Sequence, residues 1–303
     1  MNDQHKVTEA AGPPSIWQRI WRFPLVAMIV ALALAIAAAV AATFIRSLLE
    51  GALGDNALTI VTSLLIVSLS LAVYKLAIRH LGAHKRDDLP LNVTAVTHTV
   101  AGFAGGGLLI TVCVALAAAF GTYTIDGWGG FTDWATILFM TGLYAGFFEE
   151  LLLRGIVFRW LEEFAGSWVA LALSSLLFGF LHAGNDNATF FSSLAIAIEA
   201  GILLGGAYML TRSLWLAIGI HAGWNVVQAL WDVPVSGNDL DGLASATMAG
   251  PPLLAGGGFG LEATIFALIV ATGAGVWLIM KAVRAGNVLP PMWRRAAPPV
   301  GAP

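Results

Sequence analysis

Seven side chains stand out because they are charged or strongly polar yet lie in otherwise apolar stretches: Glu149, Glu150, Arg154, His182, Glu199, His221 and Asn225. A charge at the centre of a bilayer costs about 3 kcal/mol on insertion scales, so each such residue needs a reason. On a helix, Glu150 and Arg154 are four apart, share a face and can pair. Glu149 lies about 100° round the same helix and can address a different partner. His221 and Asn225 share a face by the same spacing. So do Phe178 and His182, which lets the Phe178 ring buttress the imidazole. A carboxylate, two imidazoles and a carboxamide form a set suited to hydrolysis. Glu149 would be the general base, with His182 helping to hold the water. His221 and Asn225 would donate hydrogen bonds to a developing oxyanion. Glu150 and Arg154 read as a structural pair that fixes the helix.

The elements that must position this set are membrane spans. The 303 residues are 58% hydrophobic and only 11% charged, where soluble domains carry about 25% charged residues. Apolar runs occur at about 24–45, 57–77, 98–120, 134–158, 168–182, 188–211, 214–231 and 260–281. A crossing needs roughly 17–25 residues, so the fifth and seventh runs are the shortest candidates. The first is too long for the core of a cleaved signal and reads as an uncleaved span. Lys and Arg collect at one set of ends, from Lys6, Arg19 and Arg22 through Lys75, Arg79, Lys85, Arg86, Arg154, Arg159 and Arg212 to Lys281, Arg284, Arg294 and Arg295, with Arg46 outside the pattern. Acids dominate the opposite loops. The expected fold class is therefore all-α: a polytopic helix bundle of about eight spans with both termini cytoplasmic. Residues 1–22 and 284–303 read as cytoplasmic tails and 23–283 as the transmembrane domain. A bacterial inner (cell) membrane is the expected location.

The sole cysteine, Cys113, excludes an intrachain disulfide. The net charge of −3 says little about partners, and the scattered basic residues form no cluster of the kind that binds nucleic acid, so no nucleic-acid partner is expected. The glycines at 105–107 and the pair Gly201 and Gly205 read as helix packing. The outer stretch 232–258 reads as a flap or a connector.

Depth can be counted from the expected inner turns. Glu149 lies about as far before the turn near Phe164–Gly166 as His182 lies after it, given the same rise in both helices. Counting from Arg212–Ser213 sets Glu199 level with Asn225, with His221 nearer the cytoplasm. Two hairpins thus bring Glu149, His182, His221 and Asn225 into one layer. Glu199 would be a local partner of Asn225 or a lining of a water-filled space.

The run Glu149-Glu150-Leu151-Leu152-Leu153-Arg154 resembles the E-E-x-x-x-R motif of the CPBP family, the CAAX proteases and bacteriocin-processing enzymes. Phe178 to His182 resembles its F-x-x-x-H motif, and His221 to Asn225 its H-x-x-x-N motif. The resemblance covers about 134–231. It implies an intramembrane endopeptidase similar to type II CAAX prenyl endopeptidases, acting on a membrane-associated or lipidated peptide or protein. In that family the first glutamate and the second-motif histidine activate water. The third-motif histidine and asparagine form the oxyanion hole. The resemblance favours a metal-free glutamate mechanism. The alternative is zinc held by Glu149, His182 and His221. Two other readings of the polar layer stand beside it: a non-catalytic membrane partner of the bacteriocin-immunity type, and a proton-coupled transporter.

Overall fold

The computed structural model describes residues 15–295; Lys6 and the outermost parts of both expected tails lie outside the described residues. A short helix, α1 (Ile16–Arg22), precedes α2 (Pro24–Leu49), α3 (Asp55–His80) and α4 (Val93–Ala119). A strand, β1 (Tyr123–Trp128), leads to the long helix α5 (Thr136–Ala165). Then come α6 (Ser167–Leu181), α7 (Phe190–Thr211), α8 (Leu214–Leu230), β2 (Ala244–Met248) and α9 (Ile265–Arg284). Seven of the described helices are long and apolar enough to cross a membrane. The remaining expected run forms α8, which has 17 residues and is sheathed by other helices. Large apolar side chains such as Ile29, Val40, Leu108, Leu177 and Ile269 point outward, as a lipid solvent permits.

Short polar caps start the helices. Asn92, Thr189, Ser213 and Thr264 each accept a hydrogen bond from an N–H in the first turn that follows. Gly166, at φ 84°, makes the turn between α5 and α6. Arg212, at φ 52°, ends α7. Both turns fall where the sequence reading set them. The described ends of the chain meet at one end of the bundle. There Phe164 of the α5–α6 turn packs its ring on Phe23 and on Trp293, at 5.9 and 5.7 Å.

Helix α8, which carries His221 and Asn225, lies against α4 through small residues. A Cβ on Gly106 would strike the Ile220 carbonyl, and one on Gly223 would strike the Phe103 carbonyl. Backbones this close gain dispersion contact without a hydrophobic drive. Gly201 and Gly205 of α7 face Ser175 and Leu171 of α6 in the same manner.

A buried carboxylate pins the basic end. Asp88, in the α3–α4 loop, is fully buried. Its Oδ2 accepts from Arg159 Nη1 at 2.9 Å and from the Tyr208 hydroxyl at 3.0 Å, and Arg86 closes on Oδ1. The backbone carbonyl of Asp88 also accepts from the Leu214 N–H, 2.8 Å away. One residue therefore ties together the loop, α5, α7 and α8. Arg159, expected at the inner end of a span, is buried here, as is its neighbour Trp160.

The opposite end is covered by folded chain rather than by bare connectors. Strands β1 and β2 pair antiparallel with a bulge at Asp126, a small sheet absent from the all-α expectation. Within the 232–258 stretch, Asp241 accepts from the Thr132 N–H at 2.8 Å and Asp232 accepts from the Ala246 N–H at 2.8 Å. The last span starts later than expected, because Gly260 (φ 103°) breaks the run and Leu261–Ala263 form a 3-10 turn. That turn buries Glu262, whose carboxylate accepts from the Ser236 N–H at 2.6 Å and from its hydroxyl at 3.2 Å.

Two outcomes follow. Asp88→Ala leaves Arg159 buried with only Glu163, 4.0 Å away, to counter its charge, and the expected loss is about 3 kcal/mol. Asp87→Ala, at a half-exposed pair with Lys75, should cost under about 1 kcal/mol. Thermal unfolding in mild detergent compares them, and equal losses would refute the central place given to Asp88. The second concerns Glu262. Burial pushes its carboxyl up to about 7, while the Ser236 hydrogen bonds, Gln228 and His221 pull it down. The folded state therefore holds this proton more tightly than the unfolded chain. The stability it adds is complete below the ordinary carboxyl value and is lost as pH rises through about 7. Wild type should lose more melting temperature from about pH 5 to about pH 8 than Glu262→Gln. Parallel curves would show that Glu262 does not titrate in this range.

Candidate active site

Helix α5 is not wound evenly. Thr136–Ala145 and Leu151–Phe158 are π-helical, and between them lies one α-helical stretch, Gly146–Glu150. Wide π turns inside helices are frequent at functional sites. The stretch is held from two sides. Gly146 abuts Ala222 of α8, and Phe147 packs on Trp215 with ring centroids 6.3 Å apart. Glu149 and Glu150 therefore leave the helix in different directions from a braced turn.

Glu150 points into the protein and is fully buried. Its Oε1 accepts from Arg154 Nη1 at 2.8 Å and from His221 Nδ1 at 3.0 Å. The expected Glu150–Arg154 pair is present. The bond to His221 on α8 was not legible in the sequence. Arg154 reaches on to the Ala200 carbonyl of α7 at 3.2 Å, and its guanidinium lies 4.7 Å from the centroid of the Phe178 ring. Phe178 then meets both imidazoles, His182 at 4.8 Å and His221 edge-on at 5.8 Å. The buttressing expected of Phe178 extends to three partners.

The hydrogen bonds orient the imidazoles. His182 Nδ1 lies 2.8 Å from the Phe178 carbonyl. A carbonyl only accepts, so Nδ1 carries the hydrogen and Nε2 has a free lone pair in the neutral ring. His221 Nδ1 is committed to Glu150, which leaves its Nε2 for other work. Asn225 donates one amide hydrogen to the Thr141 carbonyl at 3.1 Å and keeps a second.

Glu149, His182, His221 and Asn225 line one cavity of about 200 Å³, together with Thr141, Tyr144, Asn185 and Ser236. The cavity brings together the four residues that the depth count set in one layer. Glu149 and His182 are half-buried, and both also border a second opening of about 180 Å³ that includes Phe148 and Leu181. Among the described residues no three His, Cys, Asp or Glu side chains converge as a metal-ligand set.

Glu199 lies behind this wall. It is buried and borders a smaller space of about 40 Å³ shared with Glu262, His221 and Asn225. Asn225 gives its hydrogen bond to Thr141 rather than to Glu199, so of the two expectations for Glu199 the structure fits the cavity lining. Glu262, Ser236 and Asn185 were not singled out from the sequence. Glu262 alone carried a signal, as a carboxylate inside an apolar run.

Residues 131–227 match the family model described as Type II CAAX prenyl endopeptidase Rce1-like. No curated protein and no solved structure matches the chain. The matched segment contains Glu149, Glu150, Arg154, Phe178, His182, His221 and Asn225. The family implies a protease with a membrane-associated protein substrate. Through residues 131–227, set within a multi-pass helical bundle, this chain is similar to the Rce1-like type II CAAX prenyl endopeptidases.

Proposed function

We propose that the chain is an intramembrane endopeptidase that cleaves a membrane-associated or lipidated peptide or protein with a glutamate-activated water. The observation that carries this reading is the shared cavity of Glu149, His182, His221 and Asn225. In it, each imidazole has Nδ1 held and Nε2 available.

Water sits between the Glu149 carboxylate and His182 Nε2. Glu149 takes one proton as the oxygen attacks the scissile carbonyl, and His182 accepts a hydrogen bond from the same water. The carbonyl oxygen becomes an oxyanion. The second amide hydrogen of Asn225 and, in its imidazolium form, His221 Nε2–H donate to it. The Glu150 carboxylate counters the imidazolium charge. Collapse of the tetrahedral species breaks the C–N bond, and the proton held by Glu149 passes to the leaving amine. The products are a free carboxylate and a free amine, with one water consumed. Glu150, Arg154 and Phe178 hold the donors without touching substrate. The depth of the set within the bundle suits a bond presented at the membrane.

The test uses purified full-length protein in mild detergent with quenched-fluorescent peptides, including some farnesylated near the C-terminus. Glu149→Ala and His182→Ala should each lower kcat/KM by about 10²–10⁴-fold. Asn225→Ala should lower it by about 10²–10³-fold. All three should melt near the wild-type temperature. Undiminished cleavage by Glu149→Ala would sink the mechanism. Activity lost on chelation and restored by zinc would transfer the water to a metal. Proton-coupled flux in proteoliposomes without cleavage would favour a transporter.

A further inference from the structure

Behind the His221–Asn225 wall, the smaller space is lined by apolar side chains including Ile196, Leu203 and Trp224, and by the carboxyl groups of Glu199 and Glu262. Its volume is about 40 Å³. At roughly 10–15 Å³ per water on this measure, it has room for about three molecules. Polar partners are present. Glu199 is 2% exposed, and its Oε2 has no protein partner among the described residues. A buried carboxyl oxygen left bare is costly, and ordered water is the usual remedy. The cleavage cavity shares four residues with this space: His182, His221, Asn225 and Ser236.

Hydrolysis consumes one water per bond, and the surrounding hydrocarbon supplies none. A peptide filling the larger cavity displaces the water there. The nucleophile must then come from a compartment that the peptide does not enter. Forty cubic ångströms behind a wall of His221 and Asn225 is such a compartment.

We propose that this chamber is the water store of the cleavage site, holding ordered water between Glu199 and Glu262 and delivering it past His182 and Ser236 to Glu149. The proposal rests on the protease reading above, but the hydration of the chamber does not. Glu199 and Glu262 act here as positioning residues for water. The carboxyl of Glu262, brought by burial to about 7, is suited to donate as well as accept.

Radiolytic hydroxyl labelling of the purified full chain in ¹⁸O-water reads the chamber without cleavage. Trp224 and Leu203, which are 8% and 3% exposed, should be labelled in wild type well beyond what their exposure allows. Glu199→Leu and Ala271→Val fill the chamber from α7 and α9. Each should abolish that label and lower kcat about tenfold with little change in KM, as a loss confined to the catalysed step requires. Glu199→Gln keeps a polar group in the wall and should retain the label. Absence of label at Trp224 and Leu203 in wild type, with exposed Trp128 labelled, would show a dry chamber and overturn the proposal. So would a filled, unlabelled Ala271→Val that cleaves at the wild-type rate. A labelled wild type that cleaves no peptide would count against the protease reading, and the store would fall with it.

Discussion

One carboxylate oxygen, Oε1 of Glu150, holds the centre of this molecule together. It accepts from Arg154 on its own helix and from His221 on α8. Neither charge could remain in this interior alone, since removing one member of a buried pair strands the other at a cost of several kcal/mol. The arrangement then spreads by contact. Arg154 continues to the α7 backbone and covers the Phe178 ring, which touches both imidazoles. Four helices are thereby fixed around a single ionic bond, and the cavity residues inherit their directions from it.

Buried carboxylates also anchor both ends of the bundle. Asp88 gathers a loop and three helices at the basic end, and Glu262 holds the covering chain at the other through Ser236. Apolar side chains contribute little between helices when the solvent is itself hydrocarbon, so close backbone packing and polar ties must do more. The α4–α8 interface supplies the former through Gly106 and Gly223. Asp88, Glu150 and Glu262 supply the latter at three depths.

Much of this was legible in the sequence because it depends on short-range helical spacing. The four-residue steps Glu150–Arg154, Phe178–His182 and His221–Asn225 gave shared faces, and the Phe164–Gly166 and Arg212–Ser213 turns gave depths. What was not legible came from long-range geometry. Glu150 and His221 lie 71 positions apart, and no local pattern announces their contact. Asp88 stood among charges in an inner loop and gave no sign of being buried. Glu262 was absorbed into an apolar run whose first residues form a turn. The strands β1 and β2 are short and far apart in the chain, so their pairing depends on where α4 and α8 end. The π-helical winding of α5 also departs from the even rise assumed in the depth count, yet Glu149 and His182 still line one cavity.

Helix α6 has a consequence for the lipid around it. With its 3-10 end it forms a span of 18 residues, Ser167–Gly184, roughly 27 Å, against a hydrocarbon core of about 30 Å. It is not sheltered as α8 is: Trp168, Leu173, Leu177 and Leu181 are all exposed along it. A lipid-facing span a few ångströms shorter than that core draws the bilayer thinner beside it, at a fraction of a kcal/mol per ångström of mismatch. His182 stands at the end of this helix. The dimple in the membrane therefore forms on the flank that carries half of the water-handling pair, and bilayer thickness sets how close the head groups stand to it.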